Sequence, residues 1–157
     1  PLRVYAPADE EYFEKMKYKQ ASVAFEINSQ STLDIDSIRI SFLKNNHVKS
    51  AYAVKVLSGQ SSLVYTSDTQ WCDGLVDFAR GCDVLLCESS LYNEFYNAVQ
   101  GHMTAGECGL LASKCGAGRL ILTHLPHYGE HEVLAGQARE KYDGPVILAE
   151  NIRYLDI

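Results

Sequence analysis

The chain has 157 residues, of which 46% are hydrophobic, which fits one domain, 1–157, burying roughly 70% of its unfolded surface. Its formal net charge is -6, and no block of basic residues occurs, which argues against general binding of nucleic acid by charge and leaves room for a small basic spot for one phosphate. No apolar run approaches the about 18 residues of a membrane span, and no signal peptide heads the chain, so no membrane partner is expected. The five cysteines, Cys72, Cys82, Cys87, Cys108 and Cys115, include no C-x-x-C pair and read as reduced thiols of a cytoplasmic protein.

The chain opens Pro1-Leu2-Arg3-Val4-Tyr5, without Met and already inside a strand-like pattern, as a start within a longer unit would. Leu2 to Ala6 is strand-like. Pro7 and Asp9 then open an acidic helix predicted from about Ala8 to Tyr18, with Glu11 and Lys15 paired at i,i+4. Val23 to Ile27, Ile38 to Leu43 and Ala51 to Leu57 read as strands. In the last, Tyr52, Val54 and Val56 share a face and Lys55 takes the other. A turn at Gly59 and Ser61 leads into Ser62 to Thr66, predicting a hairpin. Asp68 or Thr69 is expected to cap a helix whose Trp71, Leu75, Phe78 and Ala79 share a face, with Gly81 ending it. Asp83 to Cys87 is a buried strand ending at Glu88. A helix follows from about Thr104 to Cys115, then the strand Arg119 to Thr123. Another helix is predicted from about Gly129 to Tyr142, stopped by Asp143-Gly144-Pro145, and Val146 to Ala149 is a final core strand.

The early part is strand after strand, whereas the later part alternates β-α-β-α-β, which requires parallel pairing with helices packed on the sheet. Ligands of open α/β sheets gather beyond the carboxyl ends of strands, and Asp68, Glu88 and His124 fall at such ends. The run Leu120-Ile121-Leu122-Thr123-His124 is the sharpest case, an apolar strand delivering an imidazole to a rim. His47 lies just past another strand. Imidazoles and a carboxylate so placed are the raw material of a metal site. Thr104 and Glu107 fit the capping box S/T-x-x-E, which sets His102 immediately before a helix N-terminus, where anions are favoured and a histidine can protonate a leaving group. Each residue also has a bland reading. Asp68 would be an ordinary helix cap, His47 a surface histidine, His124 a satisfied rim residue beside Pro126, and Glu88 a solvated strand end. His127 and His131 read as exposed helix-entry residues.

Strand-Asp68-Thr69, Val84-Leu85-Leu86-Cys87-Glu88, His102-Met103-Thr104-Ala105 and Leu120-Ile121-Leu122-Thr123-His124 follow one another in the order and spacing of the metallo-β-lactamase fold. From about Leu2 to Ile152 the chain resembles the later part of that fold, in the branch of ribonuclease Z and its phosphodiesterase relatives. The hallmark H-x-H-x-D-H is absent, since no histidine precedes His47. The implied architecture is α/β, half of an αββα sandwich, with a mixed sheet and helices packed on one face.

The resemblance implies three metal ligands. His47 resembles the third histidine of the first metal, Asp68 the carboxylate bridging both metals, and His124 the last histidine of the second. His102 resembles the catalytic histidine that protonates the leaving oxygen, and Glu88 its supporting partner. The family site holds two zinc ions, or manganese, which activate a water and clamp the substrate. Here the first metal would draw on His47 and Asp68 and the second on Asp68 and His124, so this chain alone is expected to bind zinc weakly and to be a weak or inactive hydrolase. The branch that processes transfer RNA carries a long arm between the third histidine and the bridging aspartate. One short hairpin separates His47 from Asp68 here, which favours a small phosphodiester substrate over transfer RNA. The alternatives are a non-catalytic binding or assembly module, or a subunit completed by another chain. Half a sandwich should also leave an apolar face or open edge, so a homo-oligomer, or association with the missing half, is expected.

Overall fold

The computed structural model describes residues 1–8 and 13–151. Strands β1 (Leu2–Pro7) and β2 (Ser22–Ile27) pair parallel in a two-stranded sheet. The remaining strands form a seven-stranded sheet in chain order: β3 (Thr32–Ile35), β4 (Ile38–Lys44), β5 (Tyr52–Ser58), β6 (Ser61–Tyr65), β7 (Val84–Glu88), β8 (Arg119–Thr123) and β9 (Val146–Leu148). β3 to β6 pair antiparallel and β6 to β9 parallel, so the sheet is mixed. The three parallel steps are bridged by helices α1 (Asp73–Phe78), α2 (Ala105–Cys115) and α3 (His131–Arg139), as parallel neighbours demand.

Register explains which face the helices take. Val64, Leu85, Leu120 and Val146 stand opposite one another across β6, β7, β8 and β9. All four belong to one core with Leu75, Leu111 and Leu134 of the helices. Each leucine buried there contributes about 1.5–3 kcal/mol. The opposite face carries the row Phe42, Val54, Tyr65, Leu86, Ile121 and Ile147. Phe42 and Ile121 of that row are buried, and the others are half-buried.

Several expected elements differ. Of the helix predicted over 8–18, residues 9–12, with Glu11 and its pairing to Lys15, lie outside the described residues. From Glu14 to Met16 the chain is a single 3₁₀ turn, and Lys17, on extended backbone, pairs with Glu14. Strand β3 was not expected. It is a short edge strand, half polar, held by an Asp34–Arg39 ion pair directly across the β3–β4 register at 2.8 Å.

Helix α1 starts later than predicted. Its N-cap is Cys72, and neither Asp68 nor Thr69 caps it. The Thr69 hydroxyl is engaged elsewhere, donating to the Gln70 carbonyl at 2.7 Å and accepting the Asn46 N–H at 3.3 Å. The helix ends at Phe78, before Gly81. Helix α3 begins at His131 because Gly129 sits at φ 76, a left-handed turn that cannot start a helix. It ends short of Tyr142, which is buried and donates its hydroxyl to the Ala117 carbonyl at 2.7 Å. No described helix is long and apolar enough to cross a membrane.

Candidate metal centre

β4 runs parallel to β6, two antiparallel steps away, and β6, β7 and β8 are parallel. The carboxyl ends of these strands therefore open on one rim. His47 lies just past β4, Asp68 just past β6, Glu88 ends β7, and His124 follows β8. Asn46 and Gln70 form an antiparallel bridge that ties the first two loops together, with Gln70 N–H donating to the Asn46 carbonyl at 2.9 Å. Beneath them lies the buried Asn45. Its amide nitrogen donates to the Thr66 and Asp68 carbonyls at 2.7 and 3.1 Å, and its amide oxygen accepts the Ala53 N–H at 3.1 Å. One side chain thus fixes the His47 loop against the Asp68 loop.

Two strand exits use left-handed backbone at residues that carry a β-carbon. Ser67 and His124 both have φ 53. Such conformations cost on the order of 1–3 kcal/mol and persist where the surroundings enforce them. His102 is fixed differently. Leu91 bridges to Thr104 on its far side, with Leu91 N–H donating to the Met103 carbonyl at 3.3 Å and Ala105 N–H to the Leu91 carbonyl at 2.9 Å. The capping box of α2 is complete, each partner bonding the other's backbone N–H.

The side chains converge. His124 Nδ1 lies 3.0 Å from Asp68 Oδ1. The His102 ring is 5.4 Å from the His124 ring, and the His47 ring 5.5 Å from the His102 ring, both edge to face. His102 Nδ1 is 3.1 Å from Glu88 Oε1. Exposure rises outward: the Glu88 side chain is fully buried, His102 is 21% exposed, Asp68 37% and His124 46%. Burial first, and then the charges of Asp68 and Glu88, hold the Tyr65 phenol above its ordinary range. The negative potential that opposes a phenolate would attract a cation.

Glu88, His102 and His124 each bring a donor atom within 4.8 Å of the others, close enough to share one ion. The bonding of Glu88 argues for a different role. Its Oε1 accepts the Thr69 and Met103 N–H groups at 3.3 and 3.1 Å and faces His102. Its Oε2 accepts the Ser90 N–H at 3.0 Å and hydroxyl at 2.8 Å. A carboxylate has about four lone-pair positions, so Glu88 is saturated and serves as an anchor. Asp68, His124 and His47 remain, a nitrogen and oxygen donor set suited to zinc or manganese, with the His102 ring beside them. Each imidazole has one nitrogen already oriented. With Nδ1–H of His124 toward Asp68 and that of His102 toward Glu88, the Nε2 atoms of those two rings are left facing outward, whereas His47 Nδ1 accepts the Lys49 N–H at 3.2 Å.

Sequence reasoning missed Ser90 and Asn45. The Ser90 hydroxyl lies 3.3 Å from His102 Nδ1 and 3.2 Å from His124 Nδ1, linking both histidines to Glu88. Its only signal was its place two residues after a strand-end carboxylate. His131 is also not the exposed helix-entry residue expected. It is bonded to Glu150, and its Nε2 lies 2.7 Å from the Pro126 carbonyl. His127 is exposed.

A mixed sheet whose strand ends gather histidines and an aspartate on one rim defines a metallo-β-lactamase type of domain. The family model described as Beta-lactamase superfamily domain matches residues 2–125, and the chain belongs to that family. The probable metallo-hydrolase YhfI of Bacillus subtilis (strain 168) is 34% identical over 144 residues, covering 92% of this chain and 59% of that protein. The crystal structure of YhfI, a metallo-beta-lactamase fold protein, superposes with a TM-score of 0.90 over 94% of this chain and 62% of its own. Ribonuclease Z of Myxococcus xanthus is 43% identical over 91 residues, 55% of this chain and 30% of the relative. Human tRNase Z, short form, shares the fold at a TM-score of 0.71 and 17% identity, over 100% of this chain and 68% of its own. The chain thus spans about three fifths of the length of YhfI.

Proposed function

We propose that this chain carries the acid-donating rim of a metal-dependent hydrolase that cleaves a small phosphodiester. The observation that carries the reading is the 3.0 Å approach of His124 to Asp68 beside the His102 and His47 rings. Asp68 and His124, with His47, would hold zinc or manganese. A divalent ion bound there would lower the pKa of water and polarise a phosphoryl oxygen. The chain's own contribution is orientation and a proton. Glu88 holds His102 Nδ1–H, and the imidazolium form of His102 would carry a second proton at Nε2 for the departing alkoxide, returning to the neutral Nδ1–H ring as it gives that proton up. Ser90 keeps His102 and His124 at a fixed separation by bonding toward both. The name and sequence similarity of ribonuclease Z support phosphodiester chemistry. The β5–β6 hairpin is the whole excursion between His47 and Asp68, which supports a small substrate over transfer RNA. Five free thiols support a reducing, cytoplasmic setting.

The test is metal analysis after dialysis, beside turnover of bis-p-nitrophenyl phosphate with added zinc or manganese. The chain should bind zinc weakly and turn the ester over slowly, because few of its own groups ligate each ion. Asp68→Asn and His124→Ala should each remove the bound zinc. Zinc retained at full occupancy by both variants would overturn the assignment.

A further inference from the structure

A cleft of about 400 Å³ opens beside His102, between the Asn46–Gln70 bridge, the segment around Tyr96 and the first turns of α2. Its volume lies in the range of about 300–1,000 Å³ usual for small-ligand sites. Its walls combine two chemistries. Trp71, Tyr96 and Leu110 are apolar or aromatic, and Tyr96 and Leu110 are 61% and 37% exposed. Asn46 and Gln70 supply carboxamides. Residues directly opposite in an antiparallel bridge project to the same side, and both of these line the cleft. Among the described residues neither side-chain amide makes a hydrogen bond. Glu107 adds an acceptor. Both of its capping contacts, at 2.9 Å, use Oε2, which leaves Oε1 without a bond among the described residues.

From this arrangement we propose that the cleft is the subsite for a nucleobase carrying an exocyclic amino group, held with its phosphate toward the histidine rim. A flat ring suits the faces of Trp71 and Tyr96, because every base offers a π-face to an aromatic side chain. A carboxamide donates to a ring nitrogen and accepts from an amino group at once, as Asn and Gln do with adenine. Glu107 Oε1 accepts from the amino group and repels a base that presents a carbonyl there, so adenine is preferred to uracil. His102 is itself one of the residues that line the cleft. The group recognised is therefore attached close to the phosphorus, as a base is in a nucleoside phosphate or at an RNA end. This proposal rests on the phosphodiester reading for its orientation and not for the cleft itself.

Trp71 is the single tryptophan of the chain, so its emission reports the site directly. The chain is titrated with adenosine monophosphate, uridine monophosphate, ribose 5-phosphate, adenosine and a short single-stranded RNA ending in adenosine. Excitation is at the red edge of the indole band. Adenosine monophosphate should quench Trp71 saturably and bind more tightly than uridine monophosphate, while ribose 5-phosphate leaves the emission unchanged. Tyr96→Ala, at an exposed position that does not threaten folding, and the double variant Asn46→Leu with Gln70→Leu should each weaken binding by roughly tenfold. Glu107→Gln, which preserves the capping box, should erase the preference for the amino-bearing base. Comparison of the RNA with the mononucleotide tells an RNA end from a free nucleotide, since either one quenching Trp71 supports the subsite. Equal quenching by ribose 5-phosphate, or unchanged affinity in the Tyr96 and amide variants, would overturn it. Quenching by adenosine, with zinc retained in full by both Asp68→Asn and His124→Ala, would retain the subsite and remove the hydrolase reading. Turnover without quenching by any base would do the reverse.

Discussion

At the scale of single residues the rim depends on atoms that never meet a substrate. Gly101, at φ 90, has the His47 ring where a side chain would be, and a β-carbon there would stand 2.6 Å from His47 Cδ2. Gly101→Ala therefore forces both a strained backbone and a displaced imidazole. We expect a loss of about 1–3 kcal/mol in stability and a changed His47 ring resonance by NMR, together with weaker zinc binding than the parent chain. An unchanged His47 resonance would show that the loop yields without moving the ring. A second residue gives a pH signature. The Asp83 carboxylate accepts the Ser62 N–H at 2.7 Å and its hydroxyl at 2.9 Å, and the hydroxyl first, then the N–H, hold its pKa below the ordinary carboxylate value. A group with a lowered folded-state pKa stabilises the fold above its unfolded value, about 3.9, and that contribution is lost as pH falls through the folded value. Urea unfolding of Asp83→Asn should accordingly show a shallower loss of stability on the acid side than the parent. Identical acid limbs would remove Asp83 from the account.

At the scale of elements, α2 and α3 approach so closely that Gly109 has no room for a side chain. Its β-carbon would fall 2.2 Å from the Ala138 carbonyl oxygen, which is backbone and cannot swing away. Gly109→Ala should cost about 1–3 kcal/mol by overpacking. Gly136, exposed on α3 with nothing near its missing side chain, should respond with the opposite sign. Gly136→Ala should stabilise by about 0.4–1 kcal/mol, the usual return for removing a helical glycine. Thermal unfolding of both variants checks the pair, and like signs would refute the packing argument. The same contrast between local and distant partners explains what the sequence could disclose. The capping box of α2 was legible because Thr104 and Glu107 lie three residues apart and bond each other. The parallel strands β6 to β9 were legible from apolar runs alternating with helical periods. The start of α1 was not, because Thr69 bonds Asn46 and Glu88 while Asp68 turns to His124, all partners distant in sequence. The link that Ser90 makes between two histidines, and the bridge between Asn46 and Gln70, exist only once the loops are brought together.

At the scale of the whole molecule, the small sheet stands out against the large one. β1 and β2 form a parallel pair that, among the described residues, joins no other strand. Parallel sheets are ordinarily covered on both faces, and a sheet of two strands is marginal in water. Here Leu2, Val23 and Phe25 are 69%, 42% and 41% exposed, and Phe25 stacks on Tyr5 at 5.2 Å in a surface aromatic pair. Unsatisfied strand edges beside exposed apolar side chains favour pairing with another chain. We expect two copies of this chain to associate through the β1–β2 sheet. The net charge of -6 on each copy opposes their approach, so added salt, which screens exposed like charges, should raise the dimer fraction. Sedimentation velocity over a range of protein and salt concentrations reads this directly. Phe25→Lys places a charge in the contact and should shift the population to monomer, whereas Val133→Lys, at an exposed position on helix α3, which packs on α2 and β9, should not. A monomer at every concentration and salt level, or equal effects of the two variants, would place the association elsewhere or nowhere.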